Sequence, residues 1–541
     1  MTERLSGEPQ IVTAAHIHTM TGEPARAFAY SGERILATGE LAELRESFPG
    51  ARVHDFGAAT VVPGFNDAHQ HPTICAEQTL QVDLSPDRIR DTEQLIAALA
   101  ERAAHTPKGQ WVIGSGYDHY RSGGGVELTR AELDRACPEH PALVVSVTLH
   151  AGTVNTAGLR LAGLQRPEDA PPGGELGVGA DGELNGVMHD QVLYDLAFPA
   201  FTKRETIVPQ PEPADLQQAF CDFAMRLHAA GITSAGDALV APKSWELLDA
   251  VERSGRLTLR VNALASYDHF DYFRALERPA PDAVTRLRLG GIKTFADGAV
   301  NGGMCLVEEP VIGATGNGIA RMEPEEMNEV VRTVHDAGWR VAVHANGDRA
   351  VRYVLDAIEA AQQANPRADV RHRLEHTSVL NTEVIKRMAA LGAVAVPFAE
   401  YALAHGDKLR AYYEPERRER MFAHRALLDA GVPVAGSSDY PCGPYEPLFA
   451  MRSCVARKDR TGAEFGPSQR ISATEALALF TTGAAYSSAE EHTKGKLAEG
   501  QLADFVVLDA DPAQVDPDEL SEIPVRQTWV GGERVWAADG E

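Results

Sequence analysis

Two histidines, His69 and His71, lie one residue apart shortly after the apolar run of residues 58–62, which predicts a buried strand. Side chains two positions apart on an extended segment point to the same side. Both imidazoles can then reach one metal ion, because neutral imidazole is a common ligand of zinc and its neighbours. The pair therefore predicts a metal site at the end of a strand. A chance pair is the alternative, since the 541 residues include 19 histidines.

Four more ionisable residues close or follow apolar runs: Lys293, His344, His376 and Asp439. A lysine inside an apolar strand is driven toward its neutral form, because burial penalises the cation. A neutral amine can capture carbon dioxide, and the resulting carbamate is an oxygen ligand able to bridge two metals. Taken singly, these residues have simpler explanations, such as a lysine reaching the surface or an aspartate capping a turn. Together with the histidine pair they predict one site.

Short apolar runs separated by helical stretches predict an α/β fold. Helices are predicted over residues 324–337 and 349–363, between such runs. Eight runs are the number that closes a parallel (β/α)8 TIM-type barrel, in which functional residues collect at the C-terminal ends of the strands. The eight predicted strands are residues 58–62, 231–237, 259–264, 290–295, 340–344, 371–376, 392–396 and 431–436.

The chain is too long for one simple core, so several domains are expected. Residues 1–62 and 485–541 have strand-and-turn patterns, with a hairpin expected at Gly531-Gly532, and predict one small β-sandwich domain built from both termini. Residues 63–484 would form the barrel. About 160 residues separate the histidine pair from the second predicted strand, more than one crossover needs. An inserted subdomain at 80–205, after barrel strand 1, is therefore expected to roof the active site.

The composition limits the kinds of partner that this protein is expected to bind. The net charge of −26 argues against nucleic acid and anionic membranes, which would be repelled, and leaves a small-molecule substrate. There is no run of 18 apolar residues and no secretory signal pattern at the start, so a cytoplasmic location is expected.

Six sequence motifs carry a family resemblance over nearly the whole chain. The chain resembles the amidohydrolase superfamily and, within it, the YtcJ-like amidohydrolases (amidohydrolase family 3), which include N-substituted formamide deformylase. The motifs are PGFNDAHQHP, GGIKTFADGA, VAVHANGDRA, RLEHTSVL, HRALLDAGVPVAGSSDYP and KGKLAEGQLADFVVLDADP.

The resemblance implies a metal-dependent hydrolase that cleaves a C–N bond of an amide, formamide or cyclic imide with a metal-activated hydroxide. Asp439 would hold the metals from the last strand and act as the catalytic proton carrier. A bridging, carboxylated Lys293 would join two divalent ions, with Zn²⁺ expected and Mn²⁺ or Fe²⁺ as alternatives. The predicted metal ligands are His69, His71, Lys293, His344, His376 and Asp439. The residues predicted to support the ligands or contact the substrate are Asp67, His150, Arg349 and Glu375.

Two departures from the family pattern put the substrate in doubt. Residues 298–303 read Gly-Ala-Val-Asn-Gly-Gly and lack the arginine of the common GSLGSR. Val396-Pro397 replaces a frequent Gln-Pro, so an apolar wall is expected there.

Alternatives stay open at this point. They are a mononuclear-metal deaminase with an unmodified lysine, and a lyase or isomerase on the same metal site. A non-enzymatic regulatory barrel is disfavoured, because such proteins usually lose ligands. A homodimer is a further expectation from the resemblance.

Overall fold

The computed structural model describes residues 7–23, 25–122, 124, 127–277 and 284–540. Residues 1–6 and 541, at the ends of the predicted terminal domain, lie outside the described residues.

The strands of the described residues form three sheets. The N-terminal strands are β1 (Gln10–Ile17), β2 (Ala25–Ser31), β3 (Arg34–Gly39), β4 (Arg52–Asp55) and β5 (Thr60–Pro63), followed by β6 (Phe65–Gln70). The next are β7 (Val82–Asp83), β8 (Val112–Tyr117), β9 (Ala142–Ser146), β10 (Ala151–Val154), β11 (Gly174–Val178) and β12 (Leu184–Asp190). They are followed by β13 (Ile232–Val240), β14 (Arg260–Ser266), β15 (Leu287–Phe295), β16 (Val341–Ala345), β17 (Arg373–His376) and β18 (Val394–Pro397). The C-terminal strands are β19 (Phe505–Leu508), β20 (Val525–Val530) and β21 (Glu533–Ala537).

Helices lie between many of these strands. The first ten are α1 (Leu41–Ser47), α2 (Pro72–Gln78), α3 (Thr92–Ala104), α4 (His119–Ser122), α5 (Arg130–Ala136), α6 (Thr156–Ala162), α7 (Gln191–Ala197), α8 (Pro213–Ala229), α9 (Pro242–Arg253) and α10 (Phe270–Arg274). The rest are α11 (Pro324–Asp336), α12 (Asp348–Ala364), α13 (Thr382–Leu391), α14 (Tyr401–Leu409), α15 (Pro415–Arg418), α16 (His424–Asp429), α17 (Pro447–Ala456), α18 (Ala473–Ala478) and α19 (Ala484–Ser487). The two helices predicted at 324–337 and 349–363 are thus confirmed as α11 and α12.

A seven-stranded parallel sheet in the order β18-β17-β16-β15-β14-β13-β6 forms the barrel. Every residue of β13 and β14 is buried. Burial on both faces is expected where helices cover a parallel sheet.

The predicted first barrel strand is wrong in position. Residues 60–63 form β5, which pairs with β19 and β1 in the terminal sheet. The barrel begins after Gly64 with β6, so His69 lies within a strand and His71 follows it. An apolar run reports burial but not which sheet buries it, so the sequence pattern could not separate these two strands.

The eighth predicted strand is an irregular segment that bridges the two edges of the sheet. The Ala435 N–H donates to the Ala395 oxygen of β18 at 3.0 Å, and the Ala68 N–H of β6 donates to the Gly436 oxygen at 3.1 Å. Pro433 has no N–H to donate, which removes one bond from a regular ladder. Seven regular strands and this segment therefore nearly close the ring.

The long connection after β6 carries its own six-stranded sheet, ordered β11-β12-β10-β9-β8-β7. It spans Val82 to Asp190 and so lies within the region predicted as an insert. The predicted domain boundaries themselves stay predictions.

Both termini contribute to one sheet, ordered β21-β20-β19-β5-β1-β2-β3, with β4 paired to β1. The predicted hairpin is present: Gly531 and Gly532 turn between β20 and β21 with φ values of 60° and 73°, which favour glycine. The rings of Phe28 on β2 and Phe505 on β19 lie 5.3 Å apart, although these strands are not neighbours in the sheet. The sheet therefore curls around a shared core; its description as a sandwich stays a prediction.

Candidate metal centre and active site

His69, His71 and Asp439 meet at the C-terminal edge of the barrel. Asp439 Oδ1 lies 3.1 Å from His71 Nε2 and 3.3 Å from His69 Nε2. Within the described part of the chain, these three residues are the group whose ligand atoms all lie within 4.8 Å of one another. Neighbouring ligands of one tetrahedral zinc ion stand about 3.3 Å apart, given metal–nitrogen bonds of about 2.0–2.1 Å. The donor atoms therefore suit a divalent metal.

The second ring nitrogen of His69 is held by a carboxylate. Nδ1 of His69 is hydrogen-bonded to Glu375 Oε2, and Arg373 donates to both oxygens of Glu375 at 2.8 and 2.9 Å. Burial alone would raise the pKa of Glu375, but Arg373 and His69 outweigh it and hold that pKa well below its ordinary value. An ionised Glu375 accepts a hydrogen bond from Nδ1–H, which leaves the Nε2 lone pair facing the site.

Asp67 ties β6 to the segment that carries Asp439. Its Oδ1 accepts the N–H groups of His69 and Ser438, each at 3.2 Å, and its Oδ2 accepts the Ser438 hydroxyl. The Asp439 N–H donates to the His69 oxygen at 2.8 Å. Asp439 is in the left-handed region with φ 49°, as is His376 with φ 74°. Strained backbone of this kind is common at functional sites, where surrounding bonds hold it in place.

Two further imidazoles, those of His376 and His344, extend from His69 in a row. The ring centroid of His69 lies 4.7 Å from that of His376, which in turn lies 4.6 Å from that of His344. Burial holds the pKa of His344 and of His376 well below the ordinary value. Lys293 acts in the same direction on both, whereas Asp439 acts to raise them. Both rings are therefore neutral, the form that binds metals.

Lys293 is buried on β15, with its Nζ 5.0 Å from the centre of the Phe295 ring. The Phe295 ring lies 5.3 Å from that of His344. Burial lowers the pKa of Lys293 to about 8, although Glu375 and Asp439 act to raise it. The sequence-based expectation of a lysine shifted toward neutrality is consistent with this position. Lys293 also lines a cavity of about 220 Å³.

His344 is held through Nε2. This atom lies 3.3 Å from the Gly298 carbonyl oxygen and 2.9 Å from the Asn346 amide nitrogen. Asp297 organises the surrounding loops by accepting the N–H groups of Asn346 and Gly347, each at 2.9 Å. Nδ1 of His344 is the nitrogen that these contacts leave for the site.

An apolar wall stands where the Val396-Pro397 departure occurs. The Phe398 ring stacks on the His376 ring at 4.4 Å, and the Tyr401 ring stacks on Phe398 at 3.7 Å. This stack lines the His376 side of the site with aromatic rings.

Two of the predicted supporting residues, His150 and Arg349, lie in different places relative to the site. His150 of the insert reaches the site, with its ring centroid 6.5 Å from that of His344. Arg349 is exposed on the first turn of α12, unlike the buried histidines, and its role of supporting the ligands stays a prediction. An arginine beside a histidine motif in the sequence need not share its direction once the chain enters a helix.

Asp237 is a site residue that the sequence-based prediction missed. It pairs in register with Gln70, next to His71, and is buried with neither carboxylate oxygen in a hydrogen bond of good geometry. Nδ1 of His71 is likewise buried without a hydrogen-bond partner. Burial raises the pKa of Asp237 to about 6, while His71 acts to lower it. The available signal was its place at the end of a predicted strand.

The sequence of this chain matches a known protein family. A parallel barrel with ionisable residues at its C-terminal strand ends defines a class of barrel enzymes. Residues 52–536 match the family model described as "Amidohydrolase family". The chain belongs to this amidohydrolase family.

Two relatives are similar over nearly the whole chain. The chain is 32% identical to "Putative amidohydrolase YtcJ" of Bacillus subtilis (strain 168), covering 96% of this chain and 98% of that protein. It is 31% identical to "N-substituted formamide deformylase" of Arthrobacter pascens, covering 94% of each. A solved structure of an uncharacterized metal-dependent hydrolase from Pyrococcus furiosus is similar in fold, with a TM-score of 0.74 and 24% identity over 94% of this chain and 100% of that one.

Among the residues that the structure describes, no helix is both long and apolar enough to cross a membrane.

Proposed function

We propose that this protein is a metal-dependent hydrolase that cleaves the C–N bond of a small amide, formamide or cyclic imide. The observation that carries the proposal is the approach of two histidine Nε2 atoms to one oxygen of Asp439, at 3.1 and 3.3 Å. Family membership and the deformylase relative support a hydrolytic enzyme.

His69 and His71 would hold one divalent ion, and His344 and His376 a second. Lys293 would bridge them as a carbamate: its Nζ forms a bond to the carbon of carbon dioxide and loses one proton. The buried position of Lys293 supports this step, because burial favours the neutral amine. Zinc is the proposed metal. Manganese and iron are alternatives, because mixed nitrogen and oxygen ligation accommodates all three.

When bound, a divalent ion lowers the pKa of water to about 7 and polarises a carbonyl oxygen. Asp439 would accept the proton that the attacking water loses at Oδ2, because Oδ1 is the oxygen beside the two histidine Nε2 atoms, and would pass it to the departing nitrogen. A C–O bond forms and the C–N bond breaks. The products are a carboxylic acid and an amine from an amide or formamide, and a carboxylic acid and an amide from a cyclic imide. Glu375 would keep His69 in one tautomer throughout, and Phe398 would exclude water from the side of His376.

A mononuclear deaminase is the second candidate. Among the described residues, His69, His71 and Asp439 are the one group of three or more His, Cys, Asp or Glu side chains whose ligand atoms all lie within 4.8 Å of one another, and this favours a single ion. In that case Lys293 would remain an unmodified amine.

The test combines metal counting with a substrate panel. Zinc, manganese and iron per chain are measured by elemental analysis, and the protein is assayed on N-formyl amines, N-acyl amines, cyclic imides and amino-substituted heterocycles. Two ions per chain with hydrolysis of an amide-type compound are expected. One ion with release of ammonia from a heterocycle would favour the deaminase, and a metal-free protein that hydrolyses none of the panel would overturn the proposal.

Lys293→Ala tests the bridge. Its metal content should fall from two ions toward one, because the shared oxygen ligand is gone. Lys386→Ala is the matched control, since Lys386 is exposed on α13. An unchanged metal content in Lys293→Ala would exclude the bridge.

A further inference from the structure

His150, Asp190 and Arg321 form a hydrogen-bonded chain at the rim of the site. Nδ1 of His150 lies 2.8 Å from Asp190 Oδ1. Arg321 Nη1 donates to the same oxygen at 3.0 Å, and the Tyr194 hydroxyl donates to it at 3.1 Å. His150 and Asp190 belong to the insert, whereas Arg321 belongs to the barrel connection between β15 and α11. The network thus links the insert to the barrel at one carboxylate.

This arrangement specifies the tautomer of His150. The Tyr194 hydroxyl also lies 3.1 Å from Nδ1 of His150. An ionised carboxylate can only accept, and the Asp190 oxygen is the nearer partner at 2.8 Å, so Nδ1 of His150 carries the proton. The other ring nitrogen, Nε2, is then an acceptor on the side of the ring away from Asp190. The ring centroid lies 6.5 Å from that of His344, so His150 stands beside the candidate metal centre.

The Arg321 side chain packs against one aromatic ring of the insert and one of the barrel. Its guanidinium carbon lies 5.4 Å from the centre of the Tyr194 ring and 5.3 Å from that of Phe295. Lys293, Phe295 and Arg321 all line the cavity of about 220 Å³. Arg321 therefore supplies a cation at this rim.

Asp190 has an unusual backbone for a non-glycine residue, with φ 48° and ψ −116°. Such a conformation is costly and persists where surrounding bonds over-determine it. Here those bonds are the three contacts to its carboxylate. The strain therefore points to a constrained role rather than to a surface aspartate.

We propose that Asp190 and Arg321 are positioning residues that hold His150 with Nε2 unprotonated, so that it accepts a hydrogen bond from the N–H of the substrate amide. The enzyme would then select secondary amides and N-monosubstituted formamides over tertiary ones, which have no N–H. This inference rests on the proposed hydrolytic function.

The activity test uses matched pairs of secondary and N-methylated amides. The wild-type protein should show a kcat/KM for the secondary amide about tenfold or more above that of its tertiary partner, the equivalent of one hydrogen bond. His150→Phe and Asp190→Asn should reduce this ratio toward one with unchanged metal content. The matched control is Asp195→Asn: Asp195 lies on the same helix, α7, and bonds Gln191, Thr202 and Arg204 instead. Equal ratios in all four proteins, or an equal loss in the control, would overturn the proposal.

A second measurement does not depend on turnover. The ¹⁵N shifts of histidine-labelled protein report the tautomer of each ring, and His150→Phe identifies the His150 signals by their disappearance. The Nδ1–H form is expected in the wild-type protein, and a shift toward the Nε2–H form in Asp190→Ala and Arg321→Gln. If no amide is hydrolysed, the proposed function fails while this measurement still decides the positioning role. An Nε2–H tautomer in the wild-type protein would end the proposal.

Discussion

At the residue scale, the two ring nitrogens of His69 have separate partners. Nδ1 contacts Glu375, which is anchored by two bonds from Arg373, and Nε2 faces Asp439. His150 shows the same arrangement at the opposite end of the row, with Nδ1 on Asp190. A carboxylate on one nitrogen fixes which nitrogen is available for chemistry. The site is therefore defined by its supporting carboxylates as much as by its histidines.

Asp439→Asn tests the proton-transfer role. The asparagine keeps an oxygen near His69 and His71 but cannot take up a proton at neutral pH. Metal content should stay at the wild-type value, while kcat on the best substrate of the panel falls by about 10²–10⁴-fold. Turnover within a few-fold of wild type would show that another group carries the proton.

At the element scale, Gly64 joins the terminal sheet to the barrel. It lies between β5 and β6, and its N–H donates to the Asp504 oxygen at 2.8 Å. A Cβ at this position would lie 2.2 Å from Oγ1 of Thr233, on the neighbouring strand β13. The close approach of these strands is what allows one extended segment to serve two sheets in succession.

Gly64→Ala should therefore destabilise the protein by about 1–3 kcal/mol, the usual cost of overpacking a core. Gly316→Ala is the control, because nothing lies within 4 Å of a Cβ there. Urea unfolding followed by circular dichroism measures both variants. Equal midpoints for the two would show that the joint tolerates a side chain.

At the scale of the whole molecule, a buried ion pair links the barrel to the terminal sheet. Arg260 on β14 donates to Asp504 through Nε at 2.7 Å and Nη2 at 3.0 Å. Burial alone would raise the pKa of Asp504, but Arg260 outweighs it and the pKa is lowered. Asp504 also accepts the Gly531 N–H at 2.7 Å, so the carboxylate connects the hairpin, β19 and the barrel.

Asp504→Ala should cost about 3–5 kcal/mol at pH 7, because it leaves the Arg260 guanidinium buried without its partner. Since the pKa of Asp504 is depressed in the folded state, the contribution of its charge is present above the unfolded value of about 3.9 and is lost as the pH falls through the folded value. The gap in unfolding free energy between wild type and variant should thus hold from pH 7 to 5 and narrow below about 4. Glu139→Ala, which removes an exposed partner of Lys108, is the control and should unfold like wild type. A gap that widens in acid would contradict this account.

Local patterns were sufficient for much of this protein. Apolar runs ending in ionisable residues predicted the strands that carry Lys293, His344 and His376, and helical periodicity predicted α11 and α12, because burial of a strand or of one helix face depends on nearby residues. The two glycines between β20 and β21 predicted a hairpin, since they tolerate the backbone that a tight turn requires.

Contacts between residues far apart in the chain determined the remaining features of the fold and the site. Only the tertiary structure separated β5 from β6, made residues 433–439 an irregular closure, and turned Arg349 to solvent. It also brought Asp237 beside His71, and Arg321 to Asp190 across the boundary between barrel and insert. These contacts join residues distant in the chain, and no local periodicity encodes which buried carboxylate will face which imidazole.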